Sequence, residues 1–158
     1  MKNSIKIQTE IMKHIKKYNE GREMFNARYT VANINGRDKV FVSLTGYTVY
    51  CFDRDKFYLD ISKMTEIPGL KTVCDEMALS KQEPITPSGF IKNTQKRKAV
   101  EFENKNFKVY VDEKLIKEFG KVDELWFVGK GEVKPVYVYE GENLVGLIMP
   151  MKMPKNKD

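Results

Sequence analysis

The dipeptide Asn35-Gly36 lies between Arg28–Ile34 and Lys39–Leu44, two stretches in which β-branched and aromatic residues are interleaved with polar ones. Asn and Gly tolerate the left-handed backbone that a two-residue hairpin turn demands, so the pattern predicts a pair of antiparallel strands. A lone hairpin is marginal in water and needs further strands or a helix against its apolar face. The flanking segments therefore decide the fold.

On the N-terminal side, Ser4-Ile5-Lys6-Ile7-Gln8 alternates as a strand does, and Thr9 then offers an N-cap ahead of Glu10. A helix is expected from there to about Asn19, with Gly21 ending it. Ile11, Met12, Ile15 and Tyr18 supply its apolar face, while Lys13, Lys16 and Lys17 cluster on the other side. On the C-terminal side, Tyr47–Phe52 reads as another strand, and Asp53-Arg54-Asp55 leads into Phe57-Tyr58-Leu59. Residues 4 to 60 thus form a first unit of strand, helix, then three or more strands.

A connector follows over residues 61–98, where Pro68, Pro84 and Pro87 bracket a helix at Leu70–Leu79 and an exposed loop at Gln82–Gly89. The second unit, residues 99–153, opens on a hairpin, Ala99–Glu103 and Phe107–Val111, around Asn104-Lys105-Asn106. Asp112 then caps a short helix through Phe119 that stops at Gly120, with Leu115, Ile116 and Phe119 as its buried stripe. Strands at Glu124–Val128, Lys134–Tyr139 and Leu144–Met149 complete it.

Ile5-Lys6-Ile7 matches Phe107-Lys108-Val109, and each passes directly into a capped amphipathic helix. The expected architecture is a single α+β domain of duplicated β-α-β-β-β units, with antiparallel sheets packed on two amphipathic helices. At 158 residues the chain is long enough to bury a core without staples.

The net charge of +6 favours an anionic partner: nucleic acid, an acidic protein surface or anionic lipid. Lysine used simply for solubility is the competing reading. The longest apolar stretch, Leu144–Met151, is broken by Gly146 and Pro150 and falls short of the roughly 20 residues a bilayer requires, so no membrane span is expected. The N-terminal segment does not continue into an apolar secretory stretch, which points to the cytoplasm. Cys51 and Cys74 form neither a CxxC pair nor a disulfide framework; reduced thiols are expected, a disulfide between them being the alternative.

No catalytic residue, metal ligand set or cofactor is expected. His14, the single histidine, sits among lysines without the orienting partner that imidazole chemistry needs, and reads as a surface residue. Asp53, Asp55 and Asp60 lack the further oxygen ligands and central Gly of a calcium loop and read as turn residues. Gly129-Lys130-Gly131 joins two strands instead of opening a helix, so it is a turn and not a phosphate loop. Ser43, Thr45, Ser80 and Ser88 lack a nucleophile elbow or a local base. Tyr29, Tyr47, Tyr50 and Phe57 could stack bases, but at strand spacing they read first as packing residues.

Two basic clusters remain: Lys13, Lys16 and Lys17 on the first helix, and Lys92, Lys96, Arg97 and Lys98 in a stretch without an acidic residue. Such groups attract phosphates with little sequence specificity. Solvated faces are the competing interpretation.

The C-terminus carries a resemblance. Lys134-Pro135-Val136-Tyr137-Val138-Tyr139, the acidic Gly turn Glu140-Gly141-Glu142-Asn143, and Leu144 to Met149 closing on Pro150-Met151-Lys152-Met153 resemble the last two strands of bacterial DNA sliding clamps. The match spans this C-terminal segment only. Domains of that family contain two β-α-β-β-β halves, and their helices line a DNA channel with basic side chains. The resemblance implies a non-enzymatic, clamp-like protein of phage or plasmid type that contacts the phosphate backbone of double-stranded DNA. Closing a ring from a one-domain chain would take several copies, a homo-oligomer, or another partner. The alternative is a protein-interaction module, an adaptor or inhibitor, that binds a replication or other nucleic-acid-processing protein.

Overall fold

The computed structural model describes residues 1–69, Thr72, 83–94 and 96–153. The chain is mixed α+β and divides into two compact units, Met1–Lys81 and Gln82–Asp158.

The first unit begins with the helix α1 (Ser4–Asn19), followed by β1 (Arg28–Ile34), β2 (Arg37–Ser43), β3 (Thr48–Asp53), short 3₁₀ turns at Arg54–Lys56 and Ile61–Lys63, and the two-residue β4 (Thr65–Glu66). Its strand order is β4-β1-β2-β3. The β1–β2 and β2–β3 pairs are antiparallel, whereas β4 lies parallel to β1, so the expectation of purely antiparallel sheets is corrected here. The β1–β2 turn is built on Asn35 (φ 53°) and Gly36 (φ 84°), the left-handed pair that the dipeptide calls for. Val40, Phe41 and Val42 are buried in succession, which means that both faces of β2 are covered.

The strand expected at Ser4–Gln8 is instead the first part of α1. Ile7, Ile11 and Ile15 recur every four residues and are buried together, so the helical period starts before Thr9. The Thr9 hydroxyl caps nothing and donates to the Ile5 carbonyl one turn back at 2.8 Å. Gln8, buried on the same face, anchors the helix. Its Nε2 donates to the Lys56 carbonyl at 3.0 Å, and its Oε1 accepts from the Tyr58 N–H at 2.8 Å. The helix closes at Gly21 (φ 75°), whose N–H donates to the Tyr18 carbonyl.

The second unit runs β5 (Glu83–Asn93), β6 (Lys98–Glu103), β7 (Lys108–Asp112), α2 (Glu113–Lys117), a 3₁₀ turn at Val122–Glu124, β8 (Trp126–Gly129), β9 (Val136–Glu140) and β10 (Asn143–Ile148). The strand order is β10-β9-β8-β5-β6-β7, with antiparallel pairing throughout. The loop expected at Gln82–Gly89 is corrected to a strand from Glu83 onward. Glu83–Ile85 pair with β8, and from Thr86 the strand turns its edge to β6. Its prolines are tolerated because the pairing changes partner and then bulges between Pro87 and Ile91.

Asp112 caps α2 as its position suggests, accepting from the Lys114 N–H at 2.9 Å, and Gly120 (φ 144°) follows the helix end. Phe102 and Phe127 meet in the core with ring centroids 4.5 Å apart. Past β10, the Met151 N–H donates to the Tyr110 carbonyl at 2.8 Å, laying the C-terminal segment against β7. The helix expected at Leu70–Leu79 lies outside the described residues apart from Thr72, and so does Cys74; Cys51 is buried in β3. Among the described residues no helix is long and apolar enough to cross a membrane.

Candidate nucleic-acid interface

The first basic surface lies along α1. At about 3.6 residues per turn, Lys6, Lys13, Lys16 and Lys17 fall within an arc of roughly 100°, directly opposite Ile7, Ile11 and Ile15. All four lysines are exposed. Glu10 is the single acidic residue of the helix, and it sits 3.5 Å from the Lys13 ammonium. Among the described residues, no carboxylate lies within ion-pair distance of Lys6, Lys16 or Lys17. Lys6 was hidden in the sequence by the alternation of Ser4–Gln8; the i, i+7 spacing to Lys13 is the signal that places it on the stripe.

The second surface is the β5–β6 hairpin of the other unit. Asn93 pairs with Lys98, and the Thr94 N–H and hydroxyl both donate to the Arg97 carbonyl, at 2.9 and 3.1 Å. This closes a tight tip bearing Lys96, Arg97 and Lys98, all exposed. Arg97 Nε is 3.9 Å from Asp112 Oδ2, and the Lys92 ammonium stands 5.8 Å from the centre of the Tyr110 ring. The four residues of the cluster are therefore brought together, with Lys92 and Arg97 held by neighbours.

Within the hairpin, β6 carries a buried carboxylate. Glu101 Oε2 accepts from the Tyr110 hydroxyl at 2.8 Å, and the Lys108 ammonium is 3.5 Å from Oε1. The Tyr110 hydrogen bond, supplemented by Ser88 and Lys108, holds the Glu101 carboxyl below its usual range despite burial. The same hydrogen bond raises the Tyr110 phenol.

Several other polar residues have structural partners. His14 Nε2 donates to the Phe25 carbonyl at 2.8 Å, which fixes its tautomer. Asp60 accepts from the Ser62 N–H and hydroxyl and is lowered by them, in a local turn. Ser43 donates to the Thr48 carbonyl and accepts from Gly46, Thr45 accepts from the Tyr47 N–H, and Ser88 accepts from the Phe90 N–H. Ser80 lies outside the described residues.

An open cleft of about 540 Å³ in the first unit is lined by Arg37, Asp38, Asp53, Arg54, Asp55 and Lys56. Its three cations and three carboxylates offset one another, and Asp53 is engaged by Lys39. Among the described residues no group of His, Cys, Asp and Glu is arranged to hold a metal ion. Of the aromatic residues considered for stacking, Tyr50 and Phe57 are buried, Tyr29 is half-buried and Tyr47 is exposed. Three exposed side chains that the sequence did not single out are Phe90, Ile91 and Trp126.

No protein-family model matches the chain, and neither the curated proteins nor the solved structures compared with it include a match.

Proposed function

We propose that this chain is a non-enzymatic, clamp-like DNA-associated protein that contacts the phosphate backbone through α1 and through the β5–β6 hairpin. The observation that carries this reading is the lysine stripe of α1. Four exposed ammonium groups on one face of a well-anchored helix present the regular positive charge that a duplex backbone attracts without reading sequence. The order β7-α2-β8-β9-β10 supports the clamp likeness, since it is the β-α-β-β-β order of a clamp half. The first unit departs from it by opening directly on a helix.

Light scattering of the protein with and without a duplex of about 30 base pairs, at low and moderate salt, tests the reading. Salt-sensitive complex formation is expected. A protein whose mass ignores DNA at low salt would defeat it and favour the second reading, a module that binds a nucleic-acid-processing protein. That reading draws on Trp126, which is 66% exposed beside half-buried Tyr139, because exposed tryptophan is a typical anchor of protein interfaces.

A further inference from the structure

The β5–β6 hairpin combines its cations with an exposed apolar pair that a phosphate contact alone does not require. Phe90 is 57% exposed and Ile91 48%, and both precede Lys92 directly. Their exposure is built into the strand. Pro87 pairs with Phe102 and Ile91 with Val100, so Ser88, Gly89 and Phe90 stand opposite the single residue Glu101. This bulge depends on Gly89 (φ 88°), and the Ser88 hydroxyl holds it by accepting from the Phe90 N–H at 3.1 Å. Ser88 also reaches the Glu101 carboxylate, which is fixed from the far side by Tyr110. The bulge is thus held by local bonds, and Phe90 stands exposed on it.

The strand and tip that carry this ring are rich in cations. No acidic residue occurs between Glu83 and Glu101, and Lys96, Arg97 and Lys98 lie exposed at the adjoining tip. An exposed aromatic ring flanked by cations suits a partner with both phosphates and accessible π-faces. A continuous duplex offers its phosphates but keeps its bases stacked, whereas a single strand offers both. An anionic membrane would also attract the lysines, but an inserting surface needs more apolar area than one Phe and one Ile supply.

We infer that the β5–β6 hairpin binds single-stranded DNA, with Phe90 stacking on a base while Lys92, Lys96 and Lys98 engage the flanking phosphates. This rests on the DNA-associated reading above and narrows the substrate at this hairpin to DNA with unpaired bases.

The test compares the affinity of the full-length protein for a blunt duplex and for the same duplex with a single-stranded tail, by fluorescence anisotropy, for the wild type and Phe90→Ala. The wild type should favour the tailed DNA, and Phe90→Ala should lose roughly 5-fold to 100-fold affinity for it while holding the blunt duplex as before, the range that one stacked base provides. Phe90→Leu, which keeps apolar bulk without the flat ring, should behave like the alanine variant. Equal affinity of the wild type for both DNAs, with Phe90→Ala unchanged, would overturn this inference and leave the DNA-associated reading standing. Failure to bind either DNA would remove both. If Phe90→Ala weakened binding only to phosphatidylserine vesicles, the hairpin would be a membrane contact and the inference wrong.

Discussion

Lys39 and Asp53 face each other across the β2–β3 ladder, and the ammonium of Lys39, whose side chain is 3% exposed, lies 2.5 Å from Asp53 Oδ1. The hydrogen bond from Lys39 is the main reason that the Asp53 carboxyl is held below its usual range. The partners are not equivalent, since Asp53 retains access to water and Lys39 does not. Removing the carboxylate takes its charged partner from a buried cation, while replacing the lysine with an apolar chain leaves a carboxylate that water can reach. Asp53→Ala is therefore expected to lower the unfolding free energy by about 2–4 kcal/mol, and Lys39→Met by less than about 1.5 kcal/mol. Urea denaturation of both variants checks this; equal losses would contradict it.

Gln8 holds α1 in place through a donor to Lys56 and an acceptor from Tyr58. Gln8→Ala removes these two part-buried hydrogen bonds, at a cost of about 1–3 kcal/mol. Hydrogen exchange provides a local readout: the Tyr58 amide should lose protection in the variant by more than amides of β2, which keep their ladder bonds.

The parts legible in the sequence were those with local causes. Asn35-Gly36 specifies its own backbone, and Asp112 caps the short helix because its carboxylate is placed to accept the Lys114 N–H. Ser4–Gln8 misled because five residues of alternation also fit a helix whose Ile7 continues the Ile11–Ile15 spacing; the longer period decides, and with it Lys6 joins the stripe. The strand at Glu83–Asn93 was obscured by two prolines and a glycine, residues that ordinarily punctuate loops. Its stability comes from β8 and β6, partners distant in sequence, and the exposure of Phe90 follows from a bulge that no local pattern announces.

The Glu101–Tyr110 pair makes stability depend on pH with a defined sign. Because the folded carboxyl titrates below its ordinary value, its contribution is full above the unfolded value of about 4.3 and is lost as pH falls through the depressed folded value. Glu101→Gln should cost about 1–2 kcal/mol at pH 7, through loss of a charged hydrogen-bond acceptor. The gap from wild type should narrow as pH falls through the depressed folded value, where the native carboxyl is protonated as well. Chemical denaturation at pH 7 and in mild acid measures it; a gap that does not change with pH would show that the carboxylate charge is irrelevant to the fold.

Lys6 provides the sharpest test of the α1 stripe. If the stripe lies along a duplex backbone, each lysine in phosphate contact releases condensed counterions, and its loss lowers the slope of log affinity against log salt by about 0.9. Lys6→Glu should then reduce the slope by about one, and Lys13→Glu, Lys16→Glu and Lys17→Glu combined by about three, with affinity falling to a similar degree for unrelated duplex sequences. Anisotropy titrations across a salt series give both quantities. Lys6 stands almost two helical turns before Lys13, so a slope changed by the distal three and not by Lys6 would confine the contact to the C-terminal half of α1. A slope unmoved by any of the four would make the stripe a solvated face, leaving the β5–β6 hairpin as the surface through which this chain meets DNA.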